Sequence, residues 1–296
     1  MNNNSFTLKA QILKSSHIDY TEQKYKKIVI KKKIGEGAYG VVFLIQNDHV
    51  IKIFKNSTNT NTILDESNYL IPVKNENREL IFFFKYINEN NNEKNYIVNL
   101  YAIGIIKDKI IENTNIIDFN SYFIILPLCT PFYNKYKILN RPLIEEKNGI
   151  IFTLNVMKRL LEISQYLETK YNLINLDFKL NNFMFSKKNN DLNNLIMLDF
   201  SIVKKNTKKK YNINNKYYIW PNGSNLIENI PSYSICINGL ELLFGYDNIL
   251  YLSNNLNNYL KIIKDKNKSV YNIFNNGLII KISTNKLLKL ICNITI

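Results

Sequence analysis

The chain has 296 residues, of which 46% are hydrophobic, so it is long enough to bury a substantial core in two lobes or in one large domain. Its formal net charge is +15, which raises the question of nucleic-acid binding through counterion release. Only three of the basic residues are arginines, and the chain is rich in Lys, Asn, Ile and Tyr, the amino acids of AT-rich codons. We therefore expect no specific recognition of DNA or RNA.

The cysteine content and the hydropathy pattern argue against a disulfide-rich protein and against a membrane protein. The three cysteines form no C-x-x-C pair, and their odd number favours a reducing compartment over a disulfide framework. The first residues are polar, and no apolar run approaches the ~20 residues of a membrane span. These features predict a soluble, intracellular protein that does not associate with a membrane.

The first informative motif in chain order is a glycine-rich segment. Gly35, Gly37 and Gly40 have the G-x-G-x-x-G spacing, with Val42 two residues further on. The β-branched and aromatic residues of 41–45 predict a strand, whereas a dinucleotide-binding motif would continue into a helix. The segment is therefore interpreted as a hairpin whose backbone can approach phosphate oxygens closely.

A second strand is predicted directly after this hairpin. Polar residues 46–49 have turn chemistry, and Val50–Phe54 is an apolar run interrupted by Lys52, which lies twelve residues after Gly40. A lysine in this setting can reach the α- and β-phosphates of a nucleotide. Further along, Tyr122–Leu128 predicts another apolar strand, and residues 152–171 have helical periodicity.

The most informative stretch lies between residues 176 and 201. Asp177, Lys179, Asn182 and Asp199 are embedded in apolar sequence, and the polar residues 187–191 predict a hairpin turn between the last two of these. Phosphoryl transfer from Mg-ATP requires a carboxylate near the acceptor hydroxyl, a cation near the migrating group and oxygen ligands for the metal. These four residues supply that set.

With its motifs in this order, the chain resembles the eukaryotic-type serine/threonine protein kinase family from about Ile28 to Gly245. The resemblance implies an α+β, bilobal fold with ATP bound between the lobes. After an N-terminal extension of residues 1–26, residues 27–128 would form a small, mainly antiparallel lobe with one helix. Residues 129–296 would form a larger but shortened helical lobe.

The same resemblance assigns roles to individual residues. Asp177 would be the catalytic base, Lys179 would contact the transferred phosphate, and Asn182 with Asp199 would bind Mg²⁺, with Mn²⁺ as an alternative. Lys52 would be paired with a helix glutamate, for which Glu79 is favoured over Glu66. The phosphates would lie against the glycine hairpin, Ile125 would be the gatekeeper, and backbone groups of Leu126 and Leu128 would bind adenine.

Several positions depart from the family pattern. Leu176 stands where many kinases have arginine, and Asn175 where histidine is usual. Ser201 replaces the glycine of D-F-G. No Ala-Pro-Glu is present, and Trp220-Pro221-Asn222 is its nearest equivalent. The helix that begins near Ser232 lacks the family's aspartate.

We expect an active serine/threonine protein kinase, because Lys179 matches the pattern of that subclass. One alternative is a pseudokinase scaffold that binds nucleotide without turnover. Another is a kinase-like small-molecule phosphotransferase. The lysine-rich segment 204–210 is interpreted either as a solvated loop or as an electropositive rim that favours acidic or phosphorylated protein substrates. The codon bias and short second lobe also resemble kinases of large DNA viruses.

Overall fold

The structure is a computed structural model. It describes residues 6–16, 26–36, 40–54, 61–64, 70–73, 96–107, 110–112, 115–117, 121–136, 141–186, 191–200, 203–206, 210–211, 225–226, 229–249 and 252–294. The chain divides into two compact units, Met1–Cys129 and Thr130–Ile296.

The first unit is a barrel of antiparallel strands. Its strands are β1 Phe6–Ser15, β2 Lys26–Glu36, β3 Gly40–Ile45, β4 His49–Phe54, β5 Asn61–Leu64, β6 Leu70–Val73, β7 Ala102–Ile106, β8 Ile110–Glu112, β9 Asn115–Ile117 and β10 Tyr122–Pro127. Six of them close in the order β1-β2-β3-β4-β10-β7, with β7 also paired to β1. The pairs β5–β6 and β8–β9 form two separate small sheets. The expectation of a β-rich N-terminal region is confirmed.

Strand β1 comes from the stretch that the sequence assigned to an N-terminal extension. Phe6 pairs with Ile30 on β2, and Ala10 pairs with Ile106 on β7. Leu8 and Ala10 are fully buried in the barrel core. Residues 6–15 therefore belong to the barrel, and they cover the two strand edges that would otherwise be open.

The interior of the barrel follows the two-residue period of its strands. On β3 and β4 the side chains of Val41, Phe43, Ile51 and Ile53 point inward and are buried. Lys52 alternates with the last two and lies on the opposite face. The apolar pattern that identifies these strands therefore also decides which of their residues can face a ligand.

The turn between β3 and β4 sets the register of this hairpin. Asn47 and Asp48 both have positive φ, 60° and 53°, which asparagine and aspartate tolerate better than most residues. Two such residues in succession suit the right-handed twist of a tight hairpin. The predicted turn is confirmed, and it places Lys52 opposite Val42.

The second unit is mainly helical. Its helices are α1 Phe132–Tyr136, α2 Gly149–Tyr171, α3 Ile230–Phe244, α4 Tyr246–Ile249, α5 Leu252–Lys266, α6 Lys268–Asn275 and α7 Thr284–Cys292, with a π-helical turn at Asn276–Ile280. Its short strands are β11 Thr130–Pro131, β12 Leu173–Asn175, β13 Phe183–Phe185, β14 Leu195–Met197, β15 Val203–Lys205, β16 Lys210–Tyr211 and β17 Asn225–Leu226. Across the described part of the chain, none of the helices could cross a membrane.

Helices α2 and α3 form the centre of this unit. Every residue of α3 is buried, so the helix is apolar on all sides rather than amphipathic. A Cβ at Gly239 would lie 2.5 Å from Met157 Sδ on α2 and 2.9 Å from Phe274 on α6. Glycine at this position therefore allows three helices to approach closely beneath the loop that follows β12.

Candidate active site

Asp177 lies in the loop between β12 and β13 and is 5% exposed. Its Oδ2 accepts hydrogen bonds from Lys179 Nζ at 2.7 Å and from Asn182 Nδ2 at 3.0 Å. Asn182 Nδ2 also donates to the backbone carbonyl of Asp177 at 2.9 Å. The three residues that the sequence singled out in this loop are thus joined by direct hydrogen bonds.

The second carboxylate oxygen of Asp177 has a different environment. Oδ1 is buried and accepts no hydrogen bond from the part of the chain that the structure describes. A buried acceptor without a donor is energetically unfavourable unless a ligand supplies one. One oxygen of this carboxylate is therefore held in place, while the other can accept a proton or a hydrogen bond from a hydroxyl group.

Asn182 and Asp199 are brought together by the β13–β14 hairpin. Phe183 pairs with Met197, and the backbone N–H of Leu198 donates to the carbonyl of Asn182 at 3.0 Å. Asp199 therefore follows directly after the residue bonded to Asn182. The hairpin predicted between these two positions is confirmed, and it makes them neighbours although they lie 17 residues apart.

The side-chain oxygens of Asn182 and Asp199 are suited to a hard cation that also binds phosphate. The Nδ2 of Asn182 is used in hydrogen bonds to Asp177, so its Oδ1 is the side-chain atom that could bind a cation. The half-buried Asp199 directly follows Leu198, whose N–H donates to Asn182 O. Among the described residues there is no cluster of three or more His, Cys, Asp or Glu that could hold a metal. Mg²⁺ suits such a sparse site, because it is usually bound by one or two carboxylates with water and substrate phosphates.

Asn175 connects the two motifs, a role that the sequence did not reveal. Its Oδ1 accepts from the backbone N–H of Asp177 at 2.7 Å, and its Nδ2 donates to the backbone carbonyl of Asp199 at 2.8 Å. The residue is 1% exposed. The signal that could have indicated this role is a lone amide in the apolar run Leu173–Leu176.

Asn238, on α3, supports the same loop from within the core. Its Oδ1 accepts from the N–H of Leu180 at 3.2 Å, and its Nδ2 donates to the carbonyl of Phe178 at 2.9 Å. Both backbone groups flank Lys179. The helix lacks the family's aspartate near its start, but this asparagine, which sequence reasoning missed, holds the loop from the same helix.

Arg159, on α2, holds the chain that leads into Asp199. This buried guanidinium donates to the carbonyl of Asn193 at 2.7 Å and to that of Leu195 at 3.1 Å. Five donors in a planar fork suit such multiple contacts. The β13–β14 hairpin is therefore fixed to the helical core at its turn as well as at the Asn182 end.

Residues 203–206, which follow Asp199, are held by strand pairing and by hydrogen bonds to neighbouring residues of the same unit. Strand β15 pairs with β12, with Val203 opposite Asn175. Asn206 donates from its backbone N–H to Asn172 O at 2.9 Å and from Nδ2 to Glu168 Oε1 at 2.7 Å. Leu176 is 3% exposed, so it packs in the core and offers no cation at the family's arginine position.

The glycines of the first unit have distinct reasons for lacking a side chain. A Cβ at Gly40 would lie 2.7 Å from the carbonyl oxygen of Ile53, so the barrel itself requires glycine there. A Cβ at Gly35 would meet only the Cβ of Val42, at an ordinary 3.9 Å. The packing of the barrel therefore does not require glycine at position 35.

Lys52 lies in the middle of β4, with Val42 opposite on β3 and Ile124 opposite on β10. It is half-buried on the outer face of the barrel, and its ammonium lies 5.5 Å from the ring centre of Phe54. The strand thus carries the lysine on the face that does not fill the barrel core. Its backbone is fixed by pairing with strands on both sides.

At the end of β10, the backbone groups of Leu126 and Leu128 that were expected to bind adenine face β4. The carbonyl of Ile125 accepts from Tyr101 N, on the β7 side, and the N–H of Leu128 donates to Asp48 O at 2.8 Å, on the β4 side. Backbone groups of successive strand residues point to alternate sides, so Leu126, paired with Val50, also faces β4. The backbone groups assigned to adenine are therefore engaged within the unit.

The alternate positions at this edge face away from β4. Pro127 O and the N–H of Cys129 lie on the side where β7 has already ended, since the last residue of β10 paired with β7 is Ile125. Burial raises the pKa of the Cys129 thiol to about 11, so the side chain stays protonated, with its Sγ 3.6 Å from Pro127 O. The edge thus presents an acceptor and a donor two residues apart.

Some predicted residues lie outside the described part of the chain. They are Gly37 of the glycine segment, both glutamate candidates Glu66 and Glu79, Ser201, and the Trp220-Pro221-Asn222 segment. Of the lysine-rich segment 204–210, positions 207–209 also lie outside. Their assignments stay predictions.

Comparison with known proteins supports the fold and leaves the family open. The structure is similar to a solved structure described as the ROP18 kinase domain in complex with AMP-PNP and sucrose, with a TM-score of 0.63 and 9% sequence identity. The match covers 96% of this chain and 82% of that chain. No family model and no curated protein matches the sequence.

The chain therefore has a protein-kinase-like fold, with a β-rich N-terminal region and a helical C-terminal region. An identity of 9% demonstrates the fold alone, so activity has to be argued from the residues.

Proposed function

We propose that the protein is an ATP-dependent protein kinase that transfers the γ-phosphoryl group to serine or threonine hydroxyls. The observation that carries this proposal is the Asp177 carboxylate, with one oxygen held by Lys179 and Asn182 and the other buried without a described donor. A catalytic base needs such a fixed but open acceptor within reach of the substrate proton. The kinase-like fold adds support.

Each residue of the loop has a role in this proposal. Asp177 Oδ1 would accept the hydrogen bond of the substrate hydroxyl and orient it for attack. Lys179 would move from its ion pair with Asp177 to the transferred phosphate, a step that a flexible, 34% exposed lysine side chain permits. Lys179 also matches the serine/threonine pattern of the family that the sequence resembles.

Asn182 Oδ1 and Asp199 would hold Mg²⁺, and Mn²⁺ could occupy the same oxygen ligands. When bound, the metal neutralises charge on the phosphates of ATP. Lys52 would contact the α- and β-phosphates, and the backbone at Gly35 would approach them closely. The supporting observation for Gly35 is the ordinary contact that a Cβ would make there, because the barrel leaves that position open.

For adenine we propose Pro127 O and the N–H of Cys129 as the backbone partners. The N–H of Leu128 already donates to Asp48 O, and Leu126 faces β4. A shift of one residue along β10 exchanges backbone groups that face β4 for groups on the side where the pairing with β7 has ended. The proposed substrates are proteins, and the lysine-rich segment 204–210 favours acidic ones.

The test measures transfer of radiolabelled phosphate from ATP to casein, to basic protein and without an added acceptor. We expect Asp177→Asn to lower kcat by about 10²- to 10⁴-fold with little change in the KM for ATP, because the amide keeps the shape but cannot accept a proton. The matched control is Asp265→Asn, at an exposed position of α5.

Lys52→Met and Asp199→Asn should also abolish transfer while the fold is retained, with Lys261→Met on the exposed face of α5 as the control for the lysine. Equal transfer by the wild type and all these variants would reject the proposal. Nucleotide binding without turnover in the wild type would favour a pseudokinase scaffold. Transfer to small hydroxyl compounds but not to proteins would favour a small-molecule phosphotransferase.

A further inference from the structure

We infer that Asn175 is a positioning residue that holds Asp177 and Asp199 in one geometry through its side-chain amide. The inference rests on the proposed function and names a residue that the family pattern would count as a defect. Asn175 Oδ1 accepts from Asp177 N at 2.7 Å, and Nδ2 donates to Asp199 O at 2.8 Å. Nδ2 also lies 3.5 Å from Met197 Sδ.

The bridge joins the residues that follow β12 and β14, two strands that lie in different sheets of the described structure. Asp177 follows β12, whereas Asp199 follows β14, and the backbones of the two aspartates meet at this amide. Asn175 itself is fixed by the pairing of β12 with β15, in which it lies opposite Val203. The side chain thus spans the point at which the acceptor carboxylate and the metal-binding carboxylate must keep a constant separation.

An amide suits this position because it is a donor and an acceptor at the same time and does not titrate. At 1% exposure, water is not available to replace either hydrogen bond. A neutral histidine also has one donor and one acceptor nitrogen, but protonation converts the acceptor into a second donor. Asparagine therefore provides the bridge at every physiological pH.

Substituting Asn175 by aspartate and by histidine should therefore change kcat with opposite pH dependences. In Asn175→Asp, the ionised carboxylate accepts from Asp177 N but cannot donate to Asp199 O, whereas the protonated acid can do both. Burial raises the pKa of a carboxyl group towards the assay range. In Asn175→His, the neutral ring can do both, and the protonated ring loses the acceptor.

The experiment measures kcat and the KM for ATP of both variants, each divided by the wild-type value, between about pH 5.5 and about pH 8.5. For Asn175→Asp we expect kcat to be about 10²-fold below wild type at the alkaline end and to rise relative to wild type as the pH falls. For Asn175→His the ratio should rise with pH instead. The KM for ATP should change much less than kcat.

The control is Asn257→Asp at an exposed position of α5, which adds the same charge without breaking the bridge. Its kcat ratio should stay near one at all pH values. Equal and pH-independent losses in both Asn175 variants, in an active wild type, would overturn the inference and indicate a packing role. If the larger imidazole prevents folding, the nearly isosteric Asn175→Asp still decides the question.

Absence of turnover in the wild type would reject the proposed function. The hydrogen bonds of Asn175 would then be tested by measuring thermal unfolding. The Tm of Asn175→Asp relative to wild type should rise as the pH falls, because protonation restores the missing hydrogen bond. A pH-independent Tm difference would overturn the bridge itself. The two failures are therefore distinguishable.

Discussion

The two units of the molecule differ in what they bury. In the described part of the first unit, the buried polar side chains are His49 and Ser121. In that of the second unit they are Thr153, Arg159, Ser164, Asn175, Asp177, Asn182, Asn194, Ser232, Ser234, Asn238, Glu241 and Thr284. The first unit is a strand barrel with an apolar core, and the second combines an apolar core with many buried polar groups.

The difference follows from how each unit satisfies its backbone. A closed barrel pairs the N–H and C=O groups of its strands with one another, so few side chains are needed for that purpose. The loop between β12 and β13 has no ladder partner, and the amides of Asn175 and Asn238 take that place. In the first unit, strand parity therefore decides which side chains face outward, whereas in the second unit buried amide side chains hold the loop that carries Asp177.

The largest expected effect concerns Glu241, a buried carboxyl group of the second unit. Burial raises the pKa of Glu241 from 4.5 to about 8. Between these values the folded protein binds more protons than the unfolded chain, so stability should fall as the pH rises and reach its minimum above about pH 8. Glu241→Gln should remove this pH dependence, on the order of 5 kcal/mol in the free energy of unfolding.

Urea unfolding at several pH values measures the Glu241 effect. The control is Glu145→Gln, whose carboxylate is exposed and should leave the pH profile unchanged. Identical profiles for Glu241→Gln and wild type would show that the second unit tolerates this buried group without cost, and would break the contrast between the units.

Asn238→Ala should cost roughly 2–4 kcal/mol of stability, since it leaves Leu180 N and Phe178 O buried without partners. It should also lower kcat, because the loop that carries Asp177 loses its attachment to α3. Thermal unfolding and phosphate transfer measure the two effects, with the exposed Asn257→Ala as the control. Wild-type stability of Asn238→Ala would show that the amide bonds do not hold the loop.

Two glycine substitutions sharpen the description of the first unit. Gly40→Ala should destabilise the barrel by roughly 1–3 kcal/mol, because its Cβ would lie 2.7 Å from Ile53 O. Gly35→Ala should leave the Tm nearly unchanged and raise the KM for ATP. The reverse outcome, a stable Gly40→Ala and an unfolded Gly35→Ala, would exchange the structural and ligand-binding assignments of these glycines.

The smallest expected effect is that of Thr207→Ala, at a position outside the described residues. The neighbouring Asn206 is held by Asn172 and Glu168, and buried Leu176 cannot pair with a phosphate. We therefore expect near-wild-type kcat after this substitution and after phosphatase treatment. A large loss that Thr207→Glu restores would mean that the lysine-rich segment 204–210 binds a loop phosphate.

Local patterns predicted the elements that form between near neighbours in the chain. The hairpins β3–β4 and β13–β14 and the helix α2 are confirmed, although α2 begins at Gly149, three residues earlier than predicted. The turn residues Asn47 and Asp48 and the apolar periods were enough, because each of these elements is closed by contacts within a short segment. Asn182 and Asp199 lie at the two ends of the β13–β14 hairpin, so the local prediction of this hairpin also placed them close together.

Strand β1 was missed although its pattern was present. Leu8, Ala10 and Ile12 alternate with polar residues, as expected of a half-buried strand. Its partners are β2 and the distant β7, and the second pairing closes the barrel. A single alternating segment predicts a strand but does not show where in the sheet it belongs.

The order of the motifs, through their resemblance to the protein kinase family, predicted the kinase-like fold and a candidate carboxylate, lysine and metal-binding pair. Two-residue and helical periods predicted single strands and helices. Tertiary structure alone decided which backbone groups at the end of β10 face β4 and which face away from it, because that depends on the register with β4. It also decided that Asn175 and Asn238 hold the loop between β12 and β13. Their partners include groups 24 and 60 residues away. A contact over such a distance leaves no period in the sequence, because it is produced by the packing of whole elements.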